Sequence, residues 1–167
     1  MKIKKRRRLR NKTDYKARTS FLKSEKSRVV FRKTNKYIIG QYIKSKEAQD
    51  SVITGVFSKD LMEYGWPEQL KGSLKSIPAA YLTGYLLGKN ILEKQDKAEA
   101  ILDIGLIRSL KKSRIYSFLK GVVDAGVKIS GKQELFPDEK RIKGNHLKST
   151  ISEIFDKIKS SIDKKFA

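Results

Sequence analysis

Cations carry the chemistry that is legible in this sequence. Lys4, Lys5, Arg6, Arg7, Arg8 and Arg10 crowd into one N-terminal run, with Lys2 ahead of them. Like charges this close repel, so the run is expected to stay disordered in free solution and to order when phosphates neutralise it. A second set lies in RVVFRKTNKYIIGQYI, Arg28 to Ile43, where Arg28, Arg32, Lys33 and Lys36 sit on what reads as two strands and a turn. A hairpin does not need these charges in order to fold. On a wet sheet face they suit phosphates, with Tyr37 or Tyr42 available to exposed bases. A third set is LIRSLKKSR, Leu106 to Arg114. There Arg108, Lys111, Lys112 and Arg114 surround a helix start whose free backbone N–H groups can hold a phosphate. This is no P-loop, because glycine is missing where the backbone would have to wrap the anion. A solvated charged surface is the bland reading of each set. The clustering favours nucleic acid, since phosphate binding scales with the cations available.

Catalytic constellations are thin by comparison. Asp103 at a strand end and Asp124 on a helix could hold Mg²⁺ for phosphodiester cleavage. A metal-dependent nuclease is nevertheless the weaker reading. No third or fourth acid stands in a motif, and Asp103 can instead pair with a cation or cap backbone N–H groups. His146 is the only histidine, and a lone histidine makes neither a zinc site nor a triad. The absence of cysteine excludes disulfides and thiol chemistry. No cofactor or metal is implied, and no enzyme.

The elements that must position the cations follow from periodicity. Val29–Phe31 and Tyr37–Ile43 read as strands around a Thr34-Asn35 turn, and Ser51–Phe57 alternates as a third strand. Ser58 could cap a short helix that ends near Gly65. Trp66, Leu70 and Leu74 are expected to fold the following loop onto the core. Pro78 suits the first turn of a helix in which Ala80, Gly84 and Gly88 form one stripe of small residues. Glycine there costs roughly 1 kcal/mol per site, so the stripe implies close approach to a neighbouring backbone. Ala100–Leu106 reads as an interior parallel strand. Ser113–Ala125 is a second helix, with Ile115, Phe118, Leu119 and Val122 inward and Gly126 as its C-cap.

The expected fold is an α/β two-layer sandwich with a mixed sheet, ββ-β-α-β-α. A basic arm precedes it (residues 1–27), the α/β RNA-binding domain covers 28–130, and an extension (131–167) carries an amphipathic helix over about 149–165. In that helix Ile151, Ile154, Phe155, Ile158 and Ile162 form an apolar stripe, and Thr150 and Glu153 have capping-box spacing. Lys148, Lys157, Lys159, Lys164 and Lys165 make it basic. Packing on its own domain and packing on a partner protein are both favoured over a membrane surface, because the stripe is narrow and lacks Trp.

The formal net charge is +21, from 39 Lys and Arg against 18 Asp and Glu over 167 residues. Residues 1–36 carry 16 of those cations against Asp14 and Glu25. Such an excess is best tolerated beside a polyanion. The apolar runs are too short for a membrane span and no apolar stretch follows the basic N-terminus, so a soluble, cytoplasmic protein is expected.

Several segments then stand in a familiar order: KTDYKAR, RVVFRKTNKYIIGQ, YGW, PAAYLTGYLLGK, AILDIGL, LKGVVDAG and FPDEKRIKG. Together they resemble the universal large-subunit ribosomal protein family that binds 5S ribosomal RNA, in its archaeal form, across about residues 5 to 146. The eukaryotic counterpart is similar but longer. The resemblance implies a structural RNA-binding protein of the central protuberance. Its partners would be 5S rRNA, the large rRNA and neighbouring large-subunit proteins. The family's RNA-facing pattern maps onto Lys4 to Arg10, Arg18, Arg28, Arg32, Lys33, Asn35, Lys36, Tyr37, Arg108, Ser113 and Arg114. This chain departs from the family at Ile107, Arg108 and Ser109, where His-Arg-Pro is usual, and at Lys112, where Gly is usual. The loop from Trp66 to Ile77 is longer than the family's, and the tail after His146 has no firm counterpart. A DNA-compacting protein is the remaining alternative.

Overall fold

The computed structural model describes residues 3, 5–94, 99–147 and 150–166. Its alternating apolar segments build one mixed sheet of five strands in the order β3-β2-β1-β4-β5. β1 (Ser27–Lys33), β2 (Ile38–Lys46) and β3 (Gln49–Phe57) form an antiparallel meander. β4 (Glu99–Asp103) and β5 (Lys128–Ile129) join parallel on the far side of β1. Parallel strands need a crossover, and the helices α3 (Ile77–Lys94) and α4 (Arg114–Asp124) supply it. The expected mixed α/β order is present. The two-residue β5 extends it, being too short to leave a sequence pattern.

Alternation assigns the faces. Val29 and Phe31 of β1 turn toward α3 and α4, and the Phe31 and Phe118 ring centroids lie 5.2 Å apart. Arg28, Val30 and Arg32 turn the other way. That face, expected to be wet, is instead partly covered by α2 (Tyr15–Lys23). Asp14 starts α2 by accepting from Lys16 N (2.9 Å) and Ala17 N (3.1 Å).

The small-residue stripe of α3 meets α4 directly. A Cβ on Gly84 would stand 2.1 Å from the Phe118 carbonyl oxygen, and one on Gly121 of α4 would stand 2.2 Å from that of Tyr81. The two backbones are therefore in contact, which explains glycine inside a helix. Gly126 ends α4 at φ 112°, a conformation that favours glycine.

Two turns differ from expectation. The first hairpin turns around Asn35 and Lys36, one residue late, because Thr34 uses its own groups as clamps: its N–H donates to Tyr37 O (2.8 Å) and its Oγ1 accepts from Tyr37 N (2.9 Å). Positive φ falls in the second hairpin instead, at Glu47 (50°) and Ala48 (65°), the mirror-image turn that matches strand twist. Ser58 does not cap the 3-10 turn Ser58–Met62. Its buried Oγ accepts from Ile38 N (3.0 Å), and Asp60 takes the Phe57 N–H (2.8 Å).

Trp66 and Leu74 are buried, so the long loop does fold back. The short helix α5 (Glu139–Ile142) follows, and α6 (Thr150–Lys165) closes the chain. Ile151, Phe155, Ile158 and Ile162 bury the stripe of α6 against α3, where Phe155 meets Tyr81 at 5.4 Å. The two readings left open for this helix are thereby resolved toward its own domain. Tyr85 Oη donates to Asp163 (2.6 Å), and Lys165 Nζ donates to Tyr64 Oη (2.8 Å). The Thr150 side chain and Lys148 fall outside the described residues. Among the described residues, no helix is long and apolar enough to cross a membrane.

Candidate nucleic-acid interface

The hairpin arginines do not all face outward. Arg28 is 3% exposed. Its Nη1 donates to Asp103 Oδ2 (3.1 Å), and its Nη2 to Ser45 Oγ (3.0 Å) and Asp50 Oδ1 (2.8 Å). This corrects the expectation of a solvent-facing guanidinium. A charge this buried needs partners, and β2, β3 and β4 each provide one. Arg32 Nη2 donates to the other Asp103 oxygen (3.0 Å) and its Nη1 to the Asp103 carbonyl (2.9 Å), leaving its side chain 41% exposed. Asp103 also accepts from Gly105 N (2.8 Å), which shapes the bend after β4. Arg18 of α2 reaches Asp50 Oδ2 (2.8 Å). The chain Arg18–Asp50–Arg28–Asp103–Arg32 thus fastens the basic arm to the sheet. Burial pushes the Asp50 carboxyl up, but hydrogen bonds from Arg18 and Ser45 and the Arg28 charge outweigh it and hold the group below its ordinary value.

Exposed cations flank this network. The arm, expected to be structureless, makes one helical turn, α1 (Arg6–Leu9), with Arg6, Arg8 and Arg10 exposed. Arg7 Nε donates to Thr13 Oγ1 (2.8 Å), and Lys5 Nζ lies 4.5 Å above the Tyr15 ring. Lys4 lies outside the described residues. Lys33, Asn35 and Lys36 are exposed at the hairpin end, with Tyr37 half-buried. Lys75, which the sequence did not single out, joins them by donating to Asn35 O (3.0 Å).

The loop between β4 and α4 presents Arg108 and Lys111 to solvent. Lys112 adopts φ 55°, a conformation that favours glycine. Two bonds hold it in that unfavourable region: its N–H donates to Leu135 O (2.9 Å) and its Nζ to Asp138 (3.0 Å). Ser113 occupies the N-cap of α4 without capping it, and its buried Oγ has no partner among the described residues. Arg114, half-buried, begins the helix.

Two cavities join these parts. One, of about 530 Å³, lies between arm and sheet and is lined by Arg7, Arg18, Arg32 and Ile107. The other, of about 460 Å³, is lined by Lys33, Ile107, Arg108 and Arg114. Ile107 borders both, so cations from three distant sequence segments become neighbours.

The nuclease pair does not assemble. Asp103 is engaged by two guanidinium groups on the α2 side of the sheet. Asp124 belongs to α4 on the opposite side, where it accepts from Tyr81 Oη (2.9 Å) and pairs with Lys120 (2.8 Å). Among the described residues, no three His, Asp or Glu side chains converge as metal ligands would.

A family model described as ribosomal large subunit proteins 60S L5 and 50S L18 matches residues 1–100, which span the arm, the arginine network's β1–β3 part and α3. The chain belongs to this family. It is similar to the large ribosomal subunit protein uL18 of Korarchaeum cryptofilum, 47% identical over 166 residues, covering 99% of this chain and 82% of that protein. The uL18 proteins of Methanothermobacter thermautotrophicus (42% identical, 85% of this chain, 71% of that protein) and Methanoculleus marisnigri (44%, 85% and 78%) are also similar. The first alignment takes in the tail, so α6 has a counterpart that the shared motifs did not reveal. Membership makes the chain a structural, non-enzymatic component of the large ribosomal subunit, in the cytoplasm with the ribosome.

Proposed function

We propose that this chain binds 5S rRNA and helps attach it to the large rRNA in the central protuberance, beside neighbouring large-subunit proteins. The observation that carries the reading is the continuity of exposed cations across the arm, the β1 end and the β4–α4 loop, joined at Ile107. Arg6, Arg8, Arg10, Lys33, Lys36, Arg108 and Lys111 are exposed and supply phosphate contacts. Arg18, Arg28 and Arg32 act differently: they fix the arm and the loop relative to the sheet, so that these contacts need little further ordering when RNA binds.

Titrating 5S rRNA with the protein at several salt concentrations tests this. With about six to ten phosphates contacted, the log–log slope of affinity against salt should be roughly −4 to −8. A flat dependence would refute the mechanism. Competition by duplex DNA near physiological salt separates the reading from DNA compaction, which predicts that DNA competes equally.

A further inference from the structure

We propose that the cleft between the β4–α4 loop and the segment after α5 takes one extruded nucleotide of the bound RNA, its phosphate at the start of α4 and its base on the cleft's apolar wall. The proposal rests on the RNA-binding reading and gives one site within it a defined ligand.

The cleft is open to solvent and has a volume of about 460 Å³, within the range of small-molecule sites, roughly 300–1,000 Å³. Among the described residues no carboxylate lines it, whereas Lys33, Arg108, Arg114 and Arg141 do. None of these four has a carboxylate partner among the described residues. Lys112, the fifth lining cation, is already paired with Asp138. The lining therefore suits an anion. Ser113, the N-cap residue of α4, also lines the cleft and does not use its hydroxyl on the helix, and its buried Oγ has no partner among the described residues. A phosphate at this helix start would take up the unbonded first-turn N–H groups.

Charge alone would suit any phosphate. The apolar residues narrow the ligand. Leu110 (52% exposed) and Leu147 (39% exposed) stand bare at a cleft whose lining also holds Phe31, Ile77 and Ile107 beside the cations. Leaving aliphatic side chains bare beside guanidinium groups gains nothing for the free protein, but an unstacked base is flat, weakly polar and covers such a surface. A-form duplex does not offer this, because its bases are stacked away from side chains. A nucleotide turned out of a loop or bulge does, with its edge open to hydrogen bonding by His146, which also lines the cleft.

The test uses the full chain with 5S rRNA. Leu110→Ser with Leu147→Ser removes the apolar contacts and keeps every cation. Affinity should fall about tenfold, the scale of one lost base contact, with the salt slope unchanged. Both leucines are exposed, so the melting temperature should stay within a few degrees of wild type. Ultraviolet crosslinking of the wild-type complex should join a single nucleotide to the peptide containing Ile107–Leu110 or to that containing His146–Leu147. Wild-type affinity in the serine variant, or crosslinks that avoid both peptides, overturns the proposal. Failure of the wild-type protein to prefer 5S rRNA overturns the RNA reading itself, and this proposal with it.

Discussion

Substitution of Arg28 by alanine removes hydrogen bonds to Asp103, Ser45 and Asp50 at once. The Arg28 side chain is 4% exposed and that of Asp103 is 9% exposed, so the pair is dry. Breaking a buried ion pair by deleting one partner costs about 3–5 kcal/mol. Asp103 keeps Arg32 and the Gly105 N–H, and Asp50 keeps Arg18, which places the expected loss at the lower end, about 3 kcal/mol. For a chain of this size that lowers the melting temperature by about 6–12 °C. Urea unfolding of the RNA-free protein, followed by circular dichroism, measures the loss. Lys33→Ala, at an exposed position, should change stability by less than about 0.5 kcal/mol. A double-mutant cycle of Arg28→Ala with Asp103→Ala should give a coupling of about 2 kcal/mol. The reasoning is refuted if Arg28→Ala unfolds within about 1 kcal/mol of wild type yet abolishes 5S rRNA binding. Arg28 would then be a reader of RNA and not a fastener of the fold.

Two further outcomes follow from the packing. Gly84→Ala drives a methyl group into the Phe118 carbonyl and should destabilise by about 3 kcal/mol or more, whereas Gly55→Ala, whose Cβ meets nothing nearer than 3.6 Å, should stay within about 1 kcal/mol of wild type; urea midpoints distinguish the two. Burial and the bond to Asp163 push the Tyr85 phenol above its ordinary value of 10.0, so its contribution to docking α6 is complete below pH 10 and is lost as pH rises through the folded value. Melting temperatures taken from pH 8 to 12 should fall less steeply at the alkaline end in Tyr85→Phe, and an unchanged profile would remove Tyr85 from the account.

Much of the architecture was legible because it rests on local periodicity. Val29 and Phe31 alternate with Arg28, Val30 and Arg32, so a strand with two unlike faces was readable from the residues in order. Gly84 and Gly88, spaced one turn apart, announced a backbone contact although the partner, Gly121 and Phe118, could not be named. Charge density likewise pointed to a polyanion, because electrostatic attraction depends on how many cations there are more than on their placement. Asp50 and Lys75 escaped notice for the opposite reason. Each matters through a residue at least 22 positions away, and nothing in its own neighbourhood marks it.

By itself, then, the sequence determined the class of the elements, the small-residue seam, the sign of the partner's charge and the family. What only the tertiary structure decided is which charges are free. Arg28 and Lys33 look alike in a string of residues, yet the first is enclosed by Asp50 and Asp103, brought from β3 and the end of β4, and the second stands in solvent. Pairing across a sheet sets that difference, and so it appears only once the strands have been placed side by side.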